Sequence, residues 1–288
     1  MHKPAQPFDT RQEMRVPDYE IFHYRDAQLD SVPVHHHDFY EIYFFLSGHV
    51  EYLVEGHSYQ LRPGDLLLIS PLELHQTRVY SSEAAYERIV LWVSPAFLHR
   101  FTGESFSLTR CFDTSRQEHT NLLHPATAQQ NRLLELLQQL VEESDSGEYG
   151  HEALALGLLT QFLVQLNRLA LAAGPARREP QPPSPLVQAA VAHINTHYQK
   201  ELTLEDLSRR LFVSKYHLSH EFNRLVGTSV YRYIILKRLQ HAKQMLAGGV
   251  APTVVCQNCG FKDYANFYRA FKAEYGQTPS QYLAGLAL

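Results

Sequence analysis

Cysteine is scarce in this chain: there are three in 288 residues, and only Cys256 and Cys259 lie close together. An odd count with one close pair does not build a disulfide scaffold and suits a reducing compartment. Structural zinc takes four ligands, and no second CxxC accompanies the first, so these two cysteines read as buried helix residues. Also missing is any uninterrupted run of 18 apolar residues, and the opening MHKPAQPFDT lacks the basic and apolar regions of a secretory signal. A soluble, intracellular protein without a membrane partner is expected.

The net charge of −4 hides an asymmetry that appears when the chain is divided at the proline-rich stretch 174–185, GPARREPQPPSP. Residues 186–288 carry 12 Lys or Arg against 6 Asp or Glu, and residues 1–185 carry 14 against 24. A basic C-terminal half points to a polyanion, because Lys and Arg neutralise phosphates and release counterions. An acidic N-terminal half is a poor partner for DNA.

From about Tyr19 to Val93 short β-rich runs alternate with Gly and Pro: EIYFFLSG, VEYLVEG, YQLRPGD, LLLISP and YERIVLWVSP. These are strand and turn signals at hairpin spacing, and they predict a small antiparallel barrel or sandwich over residues 1–125. After Pro125 the period changes. Leu133, Leu137 and Leu140 share one helical face, as do Ala155, Leu158, Phe162, Leu166 and Leu169. A helical hairpin is expected over residues 126–173. Its leucines either cover the barrel or form a dimer seam through Leu133 and Leu137. The segment 174–185, with five prolines, reads as a semi-extended linker.

Residues 186–288 contain an internal repeat. Leu218, Phe222, Val226, Gly227 and Tyr233 recur 49 positions later as Phe267, Phe271, Tyr275, Gly276 and Tyr282. Upstream the offset becomes 48, pairing Leu207, Ser208 and Leu211 with Val255, Cys256 and Cys259, so the second turn is one residue longer. Each copy reads as a short helix, a tight turn and a longer helix. Thr203 and Asp206 suggest a capping box, and Ser214 and Asp263 suggest N-caps. This is helix-turn-helix grammar, spanning about residues 203–226 and 253–275, and the second helix of such a unit presents its N-terminal exposed side chains to the major groove. The exposed face carries Lys215, Tyr216, Ser219, His220 and Asn223 in the first copy, and Lys262, Tyr264, Ala265, Asn266 and Arg269 around the second. Asn and Arg can pair bidentately with adenine and guanine, Tyr can meet thymine methyls, and Lys suits phosphate.

The stretch GFKDYANFYRAFKAEYGQTPSQYL, with LTLEDLSRRLFVSKYHLSHEFNRLVGTSVYRYI before it, resembles the DNA-binding signature of the AraC/XylS family of bacterial regulators. The resemblance covers about residues 186–285 and implies a long helix near 230–246 that fixes both units on one DNA face. It also implies cytoplasmic residence, promoter DNA and RNA polymerase as partners, a homodimer on paired half-sites, and activation of adjacent genes. Of the implied contacts, Ala265 is too small for hydrogen-bonded readout.

In the N-terminal half, His35, His37 and Glu41, followed by Gly48, Gly64, Pro71 and His75, resemble the two motifs of the cupin barrel. Period two places residues 35, 37 and 41 on one strand face, with His36 pointing away to solvent and His49 and His57 on the surface. Three histidines and a carboxylate inside a barrel are donors for a divalent metal such as Zn²⁺, Ni²⁺, Mn²⁺ or Fe²⁺. They also suit polar contacts to a small effector, the preferred reading because family sensors often take sugars, or else a structural role. The fold expected is therefore α+β and multidomain: a cupin-like or jelly-roll barrel with a helical hairpin, then an all-α tandem helix-turn-helix domain. The function expected is effector-responsive transcriptional regulation without enzymatic activity. The alternative is a metal-dependent cupin enzyme fused to a DNA-binding module.

Overall fold

The computed structural model describes residues 5–6, 8, 12–29, 31–80, 85–103, 105–116, 119–172 and 184–285. The chain forms two compact units, one of Met1–Val54 with Ser58–Gln181 and one of Glu55–His57 with Pro182–Leu288. Residues 174–183 of the expected linker lie outside the described residues; Ser184 and Pro185 already start a helix.

Among the described residues the first unit has nine strands: β1 (Tyr19–Asp26), β2 (Val32–His35), β3 (Tyr40–Ser47), β4 (Val50–Val54), β5 (His57–Gln60), β6 (Leu66–Ile69), β7 (His75–Val79), β8 (Tyr86–Val93) and β9 (Leu122–Leu123). They form a five-stranded sheet, β1-β8-β3-β6-β9, and a four-stranded sheet, β2-β7-β4-β5. Strand β3 shows why this part of the sequence has no polar alternation. Tyr43 and Phe45 join an aromatic core with Tyr52, Tyr59 and Trp92, while Ile42 and Phe44 join a second core with the helices. A strand covered on both faces reads as a near-continuous apolar run, and Glu41 is the buried charge that interrupts it.

That second core is closed by α1 (Pro95–Arg100), a 3-10 turn at Arg110–Phe112, α2 (Thr127–Ser144) and α3 (His151–Ala172). Leu133 and Leu137, expected at a dimer seam, are 2% and 1% exposed and belong to this core. The seam assignment for these two is therefore corrected: their face meets the sheet. Helix α3 is 22 residues long and apolar enough in length and composition to cross a membrane. One face of it, including Leu159, Phe162, Leu163 and Leu166, is buried in the core, and Asn167 ties it to the segment after α1 by donating to Leu108 O and accepting from Cys111 N, each at 2.9 Å.

The second unit is helical: α4 (Pro185–His197), α5 (Leu204–Arg210), α6 (Lys215–Val226), α7 (Val230–Ala247), α8 (Pro252–Asn258), α9 (Tyr264–Tyr275) and α10 (Pro279–Gly285). The α5–α6 and α8–α9 pairs are the two copies of the repeat, and their connecting segments, 211–214 and 259–263, differ by the one residue expected. Cys256 and Cys259 are free and buried with Leu239, Phe267 and Phe271. Thr203 caps α5 by accepting from Asp206 N at 3.1 Å. The Asp206 side chain answers through the Thr203 hydroxyl, which donates to Asp206 Oδ2 at 2.5 Å.

Candidate nucleic-acid interface and sensor site

In each repeat the second helix is fixed in rotation by its apolar row and at both ends by caps. Ser214 accepts from His217 N at 3.1 Å and Asp263 from Asn266 N at 2.7 Å, while Gly227 and Gly276 close the C-termini at φ +78° and +69°. With Leu218, Phe222, Phe267 and Phe271 buried, Lys215, Tyr216, His220, Asn223, Lys262, Tyr264, Ala265, Asn266 and Arg269 stand exposed and Ser219 half-exposed. All ten side chains expected from the sequence thus reach the surface.

Their internal bonding differs between the copies. In α9 Asn266 Nδ2 donates to Asp263 Oδ2 at 2.6 Å, Arg269 Nη2 donates to Asn266 Oδ1 at 2.7 Å, and Arg269 Nε donates to Ala265 O at 3.3 Å. The chain of bonds holds the guanidinium in place. Lys215 and Lys262 instead reach toward Glu205 at 3.4 Å and Glu201 at 2.6 Å. Exposed ion pairs of this kind contribute little, so phosphate can replace the carboxylate. The hydrogen bond and charge of Glu201 raise the Lys262 pKa, keeping it a cation.

Two further side chains belong to this surface. The 49-residue offset places Tyr268, 38% exposed, opposite Ser219, and exposed Lys272 opposite Asn223. The signal for both was the repeat itself, applied to every exposed position rather than to the apolar rows alone.

In the first unit His37, Glu41 and His75 come together, all three buried, with one ligand-type atom from each within 4.8 Å of the others. The route to this convergence is not the one period two implies. His35 ends β2 in one sheet, Glu41 sits on β3 in the other, and His37 lies in the crossing between them. His75, on β7, pairs with His35. The rings of His35 and His75 are 4.2 Å apart, but the His35 ligand atom is outside the converging group of three. His36 is half-buried rather than solvent-exposed, because the crossing turns it back against the protein. His49 is exposed as expected, while His57 is half-buried in β5.

The histidines share a bonding pattern. His35 Nδ1 lies 2.8 Å from Pro33 O, His37 Nδ1 2.9 Å from Phe39 O, and His75 Nδ1 2.8 Å from Glu73 O. A carbonyl only accepts, so each neutral ring carries its proton on Nδ1 and keeps a lone pair on Nε2. The Nε2 atoms of His37 and His75 are buried without a hydrogen-bond partner, His37 Nε2 standing 3.5 Å from Glu41 Oε2. Burial, with the neighbouring His37, brings the His35 pKa down to about 4, and burial with His35 and His37 holds His75 well below its ordinary value. For Glu41 burial opposes ionisation, but the close approach of His37 and the charges of His37, His75 and His35 prevail and hold it at about 2. Its carboxylate also accepts from Trp92 Nε1 at 2.8 Å. A divalent metal fits these residues: two buried imidazole lone pairs and a carboxylate converge, and each imidazole is oriented by a carbonyl behind it.

Glu41 and His35 also line a narrow cavity of about 30 Å³ among Phe8, Tyr24, Tyr43, Tyr52, Tyr86, Arg88 and Trp92. Arg88 crosses it, paired with Asp26 and stacked on Tyr86 at 4.1 Å. Aromatic faces beside charged groups are the ingredients of a site for a polar ligand.

Residues 19–163 match the AraC-like ligand binding domain, and residues 207–285 match a helix-turn-helix domain. The chain belongs to the AraC/XylS family of transcriptional regulators. This AraC-family chain is 28% identical to the HTH-type transcriptional regulator YbfI of Bacillus subtilis (strain 168) over 259 residues, 90% of each protein. It is 27% identical to the arabinose operon regulatory protein of Escherichia coli (strain K12) over 235 residues, covering 80% of this chain and 75% of that one. Among solved structures, ToxT from Vibrio cholerae O395 is similar at 14% identity and a TM-score of 0.37, over 93% of this chain and 98% of that one. The AraC-family assignment gives the two units their roles: the double sheet with its helices is the ligand-binding domain, and the helical repeat is the DNA-binding domain.

Proposed function

We propose that this regulator reads a promoter through both copies of its repeat and that a small polar effector, a carbohydrate, sets the outcome from within the first unit. The observation that carries the DNA reading is the pair of helices capped alike, each burying the same apolar row and leaving the equivalent face exposed. Tyr216, Ser219, His220 and Asn223 serve the first reader, Ala265, Asn266 and Arg269 the second, with Tyr264 beside them; Lys215 and Lys262 serve phosphate. Asn266 and Arg269 have the hydrogen-bonding geometry for base edges, and Ala265 is limited to a methyl contact. A DNase I footprint of the full-length protein on the DNA upstream of its own gene tests this. Protection of two patches about one helical turn apart is expected. Equal affinity for that DNA and for a scrambled duplex overturns it.

For the effector, Trp92 and the surrounding tyrosines offer ring faces to sugar C–H groups while Glu41, His35 and Arg88 offer polar partners. The cavity as it stands has the volume of a single water, so a sugar enters only with movement of its lining. The effector acts by preferring one of two states of the regulator. Domain roles follow the same division: residues 1–125 and 126–173 sense and dimerise, the residues from Ser184 onward bind DNA, and the stretch between the two links them. The reading is of a cytoplasmic activator that engages RNA polymerase, with sensing rather than catalysis in the sheet unit. The dimer seam is assigned to the outward face of α3, where Leu156 and Leu171 are 39% and 43% exposed.

A second element of this reading is a divalent metal ion held by His37 Nε2, His75 Nε2 and the Glu41 carboxylate, with His35 alongside. The support for it is the pair of orphaned, buried Nε2 atoms facing a carboxylate. Bound there, the metal would add positive charge and an open coordination position next to the cavity. Titration with Co²⁺ tests it: d–d absorption bands saturating at about one ion per chain are expected, lost in His37→Ala and retained in His49→Ala. Bands that never form in folded protein, or that survive His37→Ala, overturn it.

A further inference from the structure

The two copies of the repeat end their first helix in the same way. Leu211 N donates to Leu207 O at 3.0 Å, Phe212 N to Arg209 O at 3.3 Å and Val213 N to Ser208 O at 3.0 Å. Forty-eight residues on, Cys259 N donates to Val255 O at 3.0 Å, Gly260 N to Gln257 O at 3.1 Å and Phe261 N to Cys256 O at 3.2 Å. The pivot of each turn is left-handed, at φ +55° for Phe212 and +78° for Gly260. Glycine is the ordinary occupant of such a pivot, and a bulky side chain there strains the backbone.

Gly260 obeys the rule for an evident reason: a Cβ built on it meets Gln199 O at 2.4 Å. Phe212 breaks the rule without any return inside the protein. Its ring is 95% exposed, whereas the next residue of the second copy, Phe261, is 8% exposed and packs in the core. An aromatic side chain that strains its own backbone and buries nothing in the fold calls for a surface outside it.

The position of Phe212 identifies that surface. It lies two residues before Ser214, the N-cap of reader helix α6, whose first turn exposes Lys215 and Tyr216, the latter at 81%. The N-terminal end of a reader helix enters the major groove, so the turn leading into it comes to the rim of the groove. The surrounding unit is basic, with 12 Lys or Arg against 6 Asp or Glu over residues 186–288. We infer that Phe212 is an additional DNA-contacting residue of the first reader, laying its ring on deoxyribose or a thymine methyl at the groove edge. The second reader, with Gly260 in that place, has no counterpart. This makes the contact a difference between the two halves of the recognised site.

The inference rests on the DNA-binding reading, and Phe212→Gly in the full-length protein separates the two. Removing the ring releases backbone strain, so the melting temperature of the variant is expected to hold or rise. Its affinity for the footprinted DNA is expected to fall roughly 5- to 20-fold, with the slope of log affinity against log salt unchanged, because an apolar contact releases no counterions. Phe212→Leu is expected to recover part of the loss. An unchanged affinity in protein that still footprints overturns the Phe212 assignment alone. Unchanged affinity with diminished activation also overturns it and redirects the ring to a protein partner. A wild-type chain that fails to footprint sinks the DNA-binding reading itself.

Discussion

Trp92 donates its indole N–H to Glu41 Oε2 across 2.8 Å, joining β8 to β3 inside the aromatic core. Both residues are buried, Trp92 at 2% and Glu41 at 5% exposure. Trp92→Phe keeps an aromatic ring and removes the donor, leaving a buried carboxylate one partner short. A loss of about 1–3 kcal/mol in urea unfolding is expected. Because Trp92 orients a proposed metal donor, Co²⁺ affinity is expected to weaken about 10-fold or more in the folded variant.

Charges introduced into the helical hairpin are expected to act differently on its two helices. Leu137→Asp puts a carboxylate into a site that is 1% exposed, and a loss of about 3–5 kcal/mol, seen as failure to fold or a collapsed melting temperature, is expected. Leu156→Glu and Leu171→Glu together alter exposed positions on one face of α3, with little effect on melting. Sedimentation velocity of the double variant should show monomers where the parent shows dimers. A dimer persisting in it removes the seam from α3.

Reader substitutions are expected to divide by the kind of contact. Arg269→Ala removes the end of the Asp263–Asn266–Arg269 chain, and a cost of about 1–3 kcal/mol on the specific site with relaxed preference at one base pair is expected. Lys262→Ala should weaken all DNA alike and lower the magnitude of the salt slope by about 1. Binding isotherms on the footprinted and scrambled duplexes at several salt concentrations check both.

Gly260→Ala tests the requirement for glycine at the second pivot. The added methyl meets Gln199 O at 2.4 Å in a left-handed conformation, so a destabilisation of about 1–3 kcal/mol is expected, read by thermal melting. A neutral result would mean that the 198–200 segment yields at little cost.

The helical unit was legible in the sequence because a repeat tests itself. Two apolar rows 49 residues apart, with Ser214 and Asp263 at the same place in each, fixed helix starts, turn lengths and exposed faces from residue order alone. The sheet unit was less legible, for a reason visible at His37. Period two describes one strand, whereas residues 35 to 41 leave one sheet and enter the other, so the convergence of His37, Glu41 and His75 depends on a crossover that local alternation does not encode. Leu133 and Leu137 show the complementary limit. An apolar helical face announces burial but not its partner, and here the partner is the covered face of the sheet.

The readers are copies in backbone and strangers in side chain. Where the first offers Tyr216, Ser219 and His220, the second offers Ala265, Tyr268 and Arg269, and the turn before it is longer by one residue. A site built to suit both cannot be one word written twice. It has a front and a back, so a single bound chain lies along the duplex in one orientation, and the direction of the neighbouring gene can be written into the operator itself.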